Sequence, residues 1–109
     1  MRRVAFALVG TALAANAFAS GDPAKGQQKA QQVCAACHGP DGNKPSAPDQ
    51  PVLAGQYYDY LVRALSDYKN GRRNNAIMKG FAGQLSKQDI EDLAAWFSSQ
   101  TKTSLHDQR

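Results

Sequence analysis

No stretch of this 109-residue chain alternates apolar and polar residues between turn signals, which argues against a sheet-built fold. Long apolar runs are missing too. The longest, Val4 to Ala15, has twelve residues, and a helix that crosses a bilayer needs about 20. Charge of one sign is hardly in excess: the formal net charge is +4. The basic residues are not interleaved with aromatics on one face, so nucleic-acid binding is not expected. Cysteine and histidine number two each, and Cys37 and His38 are adjacent, which makes a closed four-ligand zinc cage a poor reading. Methionine is as scarce, with only Met1 and Met78.

The first residues have the layout of a secretory leader. Met1-Arg2-Arg3 is a short basic start, Val4 to Ala15 is apolar, and Ala17-Phe18-Ala19 is a small-residue cleavage site. The rest of a twin-arginine motif is absent. The expected organisation is a cleaved signal peptide over 1–19 and one domain over 20–109, with a poorly ordered tail from about 101. Export to the periplasm follows, with no membrane span after cleavage. Losing Arg2 and Arg3 brings the charge to +2. So small a domain buries only a modest apolar core. A bound group that adds buried surface would therefore serve folding as well as function.

The two cysteines are not scattered. Cys34-Ala35-Ala36-Cys37-His38 is the attachment signature of a c-type haem. On a helix, residues i, i+3 and i+4 share one face. Both thiols can then add to the two vinyl groups of one porphyrin while His38 is aimed at its iron. A thioredoxin-like dithiol would need a βαβ setting, which this chain does not offer. In an oxidising compartment, thioether formation also removes the liability of free thiols.

A haem held from one side needs a ligand on the other. Once the leader is gone, Met78 is the only methionine, forty positions after His38 in a polar, irregular stretch from Arg72 to Gly83. Its thioether is a neutral ligand for haem iron. The rivals are His106, in a polar tail, and Lys79, which competes only when deprotonated.

Helical signals frame these residues. Asp22-Pro23 is an N-cap followed by proline at the first helical position. Gly26, Ala30, Val33 and Cys37 then form a narrow stripe of mostly small residues. Gly39 to Pro51 reads as a loop with proline at 40, 45, 48 and 51, long enough to need something to wrap. A second helix is predicted over Gly55 to Asn70 on the period of Tyr57, Leu61, Ala64, Leu65 and Tyr68, closed by Gly71. Ser86 and Asp89 make a capping box, with Leu85 and Ile90 as the flanking staple, for a third helix ending near Gln100. Ile90, Leu93, Ala94 and Phe97 are its expected buried face. The fold class is all-α, about three main helices around one covalent haem.

The chain resembles class I cytochromes c through Cys34 to Gly39, Pro51 to Gln56, Tyr60-Leu61, Gly71-Arg72, Met78, Leu85-Ser86 and Asp89-Ile90. It is similar to a single half of the dihaem cytochrome c4 group and to small bacterial cytochromes c553. A single CxxCH and no visible repeat make it a monohaem chain. The resemblance implies the small class I cytochrome c fold, with one haem c on Cys34 and Cys37 and iron between His38 and Met78. It implies that the Pro51 carbonyl accepts a hydrogen bond from the axial histidine. It further implies that Gly26 meets Trp96 and Phe97 where the first and last helices cross, and that Tyr57 with Arg72 or Arg73 faces the haem propionates. The function expected is a non-enzymatic, monomeric, one-electron carrier in the periplasm. It would run between a donor complex and a terminal oxidase or reductase, with partner contacts small and transient. The alternative is a haem subunit of, or small enzyme in, sulfur-compound, nitrogen-oxide or peroxide metabolism.

Overall fold

The computed structural model describes residues 3–5 and 21–103. Most of the apolar run expected to form a leader (all but Val4 and Ala5), its expected cleavage site and His106 lie outside them. The described residues form five helices and no strand: α1 Pro23–Val33, α2 Ala35–His38, α3 Tyr58–Asn70, α4 Ala76–Ala82 and α5 Lys87–Ser98. The all-α expectation is met, with two short helices added to the three main ones.

The long helices start where their caps dictate. The Asp22 carboxylate accepts from the amides of Ala24 at 2.9 Å and Lys25 at 3.5 Å, with Pro23 in the first turn. On α5, Ser86 Oγ accepts from Asp89 N at 3.0 Å and Asp89 Oδ2 accepts from Ser86 N at 2.9 Å. Such reciprocal capping satisfies two amides the helix itself cannot, and losing a cap costs about 1 kcal/mol. Leu85 and Ile90, the flanking pair, are both buried in the core.

The second helix starts later than its period suggests. Gly55 has a left-handed φ of 74° and Tyr57 is extended, so α3 begins at Tyr58; Gly71, φ 78°, closes it. The larger correction is at 72–83, read as irregular. Asn75 accepts from the amides of Ile77 at 3.1 Å and Met78 at 3.0 Å and starts α4. At seven residues, with Gly80 inside it, α4 is too short to show a period.

α1 crosses α5 at close range. An added Cβ on Gly26 would lie 1.9 Å from the Asp92 carbonyl oxygen and 2.9 Å from Trp96 Cβ. Asp92, itself 4% exposed, accepts from Asp22 N at 2.7 Å and from Gln88 Nε2 at 2.8 Å. Trp96 Nε1 donates to the Pro40 carbonyl at 3.2 Å, tying α5 to the loop after α2. The main packing runs as a chain: α2 on α1, α1 on α5, α5 on α3, α3 on α4. α2 and α4 are its two ends. The start of the tail is also tied down: Thr101 O and Thr103 N both bond to the Asn43 side chain, at 3.0 and 2.8 Å.

Candidate haem site

The stripe running from Gly26 to Cys37 is interrupted at Cys34, which leaves ideal helix geometry at φ −112°, ψ −32°. The break is small. Cys34 N still donates to Ala30 O at 2.9 Å, and its carbonyl accepts from Cys37 N at 3.2 Å and His38 N at 3.0 Å. The i, i+3, i+4 relation therefore survives, and Cys34, Cys37 and His38 line one cleft. Both cysteines are half-buried, and no disulfide joins them. Burial, with a smaller push from the neighbouring Cys37, raises the Cys34 thiol to about 11.

The His38 ring is oriented by a single contact. Nδ1 lies 2.9 Å from the Pro51 carbonyl oxygen. A carbonyl can only accept, so Nδ1 carries the proton and the Nε2 lone pair remains free. His38 is 6% exposed, and among the described residues no other hydrogen bond is made by its imidazole.

The cleft holds about 1380 Å³, counting space open to solvent at its mouth. It lies between the two ends of the packing chain, with α2 on one side, α4 on the other and α3 and α5 contributing Leu61, Leu65, Leu93 and Phe97. Met78, half-buried on the first turn of α4, lines it as well. Three large lining side chains stay exposed: Tyr60 at 49%, Ile77 at 70% and Phe81 at 42%. A cleft with bare apolar walls and two thiols, one free imidazole nitrogen and a thioether fits a large planar apolar group with a central metal. Haem c has that chemistry. Cys34 and Cys37 would hold it, with His38 as a ligand. Among the described residues no group of three His, Cys, Asp or Glu is placed to hold a metal ion without such a group.

The cleft divides the residues expected to face the propionates. Tyr57 is 81% exposed and does not line the cleft, and neither does Arg72. The reason is the late start of α3: as the N-cap residue, Tyr57 is not carried round onto the helix face that Leu61 and Leu65 share. Arg73, the other arginine considered, does line it, with Tyr60 and Tyr68. Its Nη1 donates to Tyr60 Oη at 3.4 Å, and Cζ lies 4.9 Å from the Tyr68 ring centroid. The Tyr60 contact helps hold the guanidinium pKa above its ordinary value. The eight-residue spacing of Tyr60 and Tyr68 along α3 carried that signal.

Comparison with known proteins gives the same answer from another direction. The family profile described as cytochrome c matches residues 23–101. Cytochrome c4 of Pseudomonas aeruginosa is 52% identical over 84 residues, which is 77% of this chain and 41% of that protein. The cytochrome c-554(548) of Halomonas halodenitrificans is 44% identical over 84 residues, 74% of this chain and 99% of that one. The crystal structure of reduced recombinant cytochrome c4 from Pseudomonas stutzeri superposes with a TM-score of 0.70 at 45% identity, covering 77% of this chain and 48% of that chain. The chain thus spans about half the length of the cytochrome c4 relatives and nearly all of the shorter one.

Proposed function

The chain belongs to the cytochrome c family, whose cofactor is covalent haem c, and on that premise we propose that it is a periplasmic one-electron carrier with His38 and Met78 as the axial iron ligands. The observation that carries the reading is that Met78 shares one apolar cleft with a histidine whose Nε2 is free.

Bound haem supplies a single iron that accepts one electron and gives it back. The work of the chain is to hold and tune it. Cys34 and Cys37 would anchor the group through two thioethers. The Pro51 carbonyl fixes the ring orientation of His38 and, by drawing on the Nδ1 proton, raises the basicity of Nε2. Met78 would offer the iron a soft, neutral sulfur, which together with the apolar walls would favour the ferrous state and a high potential. With His38 and Met78 both supplied to the iron, no site would stay open for oxygen, peroxide or nitrite, and the ligands would not need to change between redox states. That favours electron transfer over catalysis on a bound substrate.

The partners are proposed by class: a donor complex and a terminal oxidase or reductase, met transiently by a monomer. No helix among the described residues is long and apolar enough to cross a membrane. The experiment is ligand binding to the ferrous protein. A carrier of this kind does not take up carbon monoxide at neutral pH, and its ferric form shows a sulfur-to-iron band at the red end of the spectrum. Ready carbon monoxide binding by the native protein would instead favour a haem enzyme or enzyme subunit.

A further inference from the structure

Asn43 is 6% exposed, and every polar atom of its side chain is matched. Nδ2 donates to Asp41 Oδ2 at 3.0 Å and to the Thr101 carbonyl at 3.0 Å, and Oδ1 accepts from Thr103 N at 2.8 Å. The two residues beside it carry the hydrogen bonds that frame His38. Lys44 N donates to the His38 carbonyl at 3.1 Å. The Gly42 carbonyl accepts from Leu53 N at 2.9 Å and Ala54 N at 3.3 Å. Leu53 lies two residues after Pro51, the partner of the His38 ring. Gly42 has no slack, since an added Cβ would lie 2.8 Å from both Ala54 N and Phe97 Cδ1.

From this arrangement we infer that Asn43 is a positioning residue for the His38 imidazole. Gripped from behind by residues 101–103, it holds the loop at 42–44 so that the His38 peptide and the Pro51 segment keep a fixed separation. The ring hydrogen bond between Nδ1 and the Pro51 carbonyl depends on that separation. The end of the described chain thereby acts on the imidazole at a distance, although neither Thr101 nor Thr103 lines the cleft. A buried amide with three partners is costly to disturb, because each group left unpaired loses its solvation without recompense. The inference rests on the reading of His38 as an iron ligand.

The test is hydrogen exchange of the His38 Nδ1 proton in the ferrous holoprotein, followed by NMR and divided by the exchange rate of α3 amides. The division removes the effect of overall stability. Asn43→Ala, which removes all three of these hydrogen bonds, should raise that ratio roughly tenfold or more. Thr103→Pro, which removes the amide donor to Asn43 Oδ1 and also locks φ at 103, should raise it by a smaller factor. Gln88→Ala loosens the fold at Asp92 instead and should leave the ratio unchanged. If Asn43→Ala does not fold, Thr103→Pro decides. A ratio at the wild-type value in the folded variants overturns the inference. A colourless wild-type protein, by contrast, would overturn the haem reading beneath it.

Discussion

Gly26 and Asp92 meet backbone to backbone, with room for no more than a hydrogen on Gly26: a Cβ there would sit 1.9 Å from the Asp92 carbonyl oxygen. The neighbouring Asp22 amide bonds the Asp92 carboxylate at 2.7 Å, so the helices cannot simply separate to make space. Gly26→Ala should therefore destabilise the fold by about 1–3 kcal/mol, as overpacking does. In a domain of this size that lowers the thermal midpoint by about 4–8 °C per kcal/mol. Calorimetry on the holoprotein checks it.

Met78→Ala should remove the red-edge ferric band and open the iron to carbon monoxide in the ferrous state, while leaving the haem attached. The reduction potential should fall, because a soft sulfur no longer favours the ferrous iron. Redox titration and carbon monoxide difference spectra measure both.

Arg73 and Arg72 should behave differently although they are adjacent. Arg73 lines the cleft, and its positive charge favours the less positive, reduced iron. Arg73→Gln should lower the potential. Arg72→Gln and Tyr57→Phe, which alter residues outside the lining, should shift it less. Potentiometry of the three variants at one ionic strength decides the order.

Asp41 gives the fold an acid sensitivity. The Asn43 side-chain amide, with the Asn43 backbone amide, holds the Asp41 carboxyl below its ordinary value of 3.8. Folding therefore favours the carboxylate. Its contribution is complete above pH 3.8 and disappears as pH falls through the lower folded-state value. Asp41→Asn should weaken the protein at neutral pH and flatten this part of the acid limb. Thermal midpoints measured between neutrality and strong acid test the sign.

What could be read from the residues alone was whatever is decided locally. The starts of α1 and α5 are set by Asp22-Pro23 and by Ser86 with Asp89, each acting within four positions. The placement of Cys34, Cys37 and His38 on one face follows from helical spacing and survives the break at Cys34. The helix α4 was hidden because its seven residues hold a glycine and no repeated period. Tyr57 was misplaced because its period matches the α3 stripe while its backbone stands outside the helix. Asp41 aside, the partners of the Asn43 side chain, Thr101 and Thr103, lie 58 and 60 positions away. Its loop looked like one more polar turn.

The most direct measurement is the colour and mass of the exported protein after full denaturation. Thioethers survive unfolding, so the account predicts a polypeptide that stays coloured, forms a pyridine haemochrome typical of a haem with both vinyl groups saturated, and carries the mass of one haem on the peptide spanning Cys34 and Cys37. A denatured chain that releases its colour into acidic organic solvent, or whose two thiols react freely with an alkylating reagent, would contradict it.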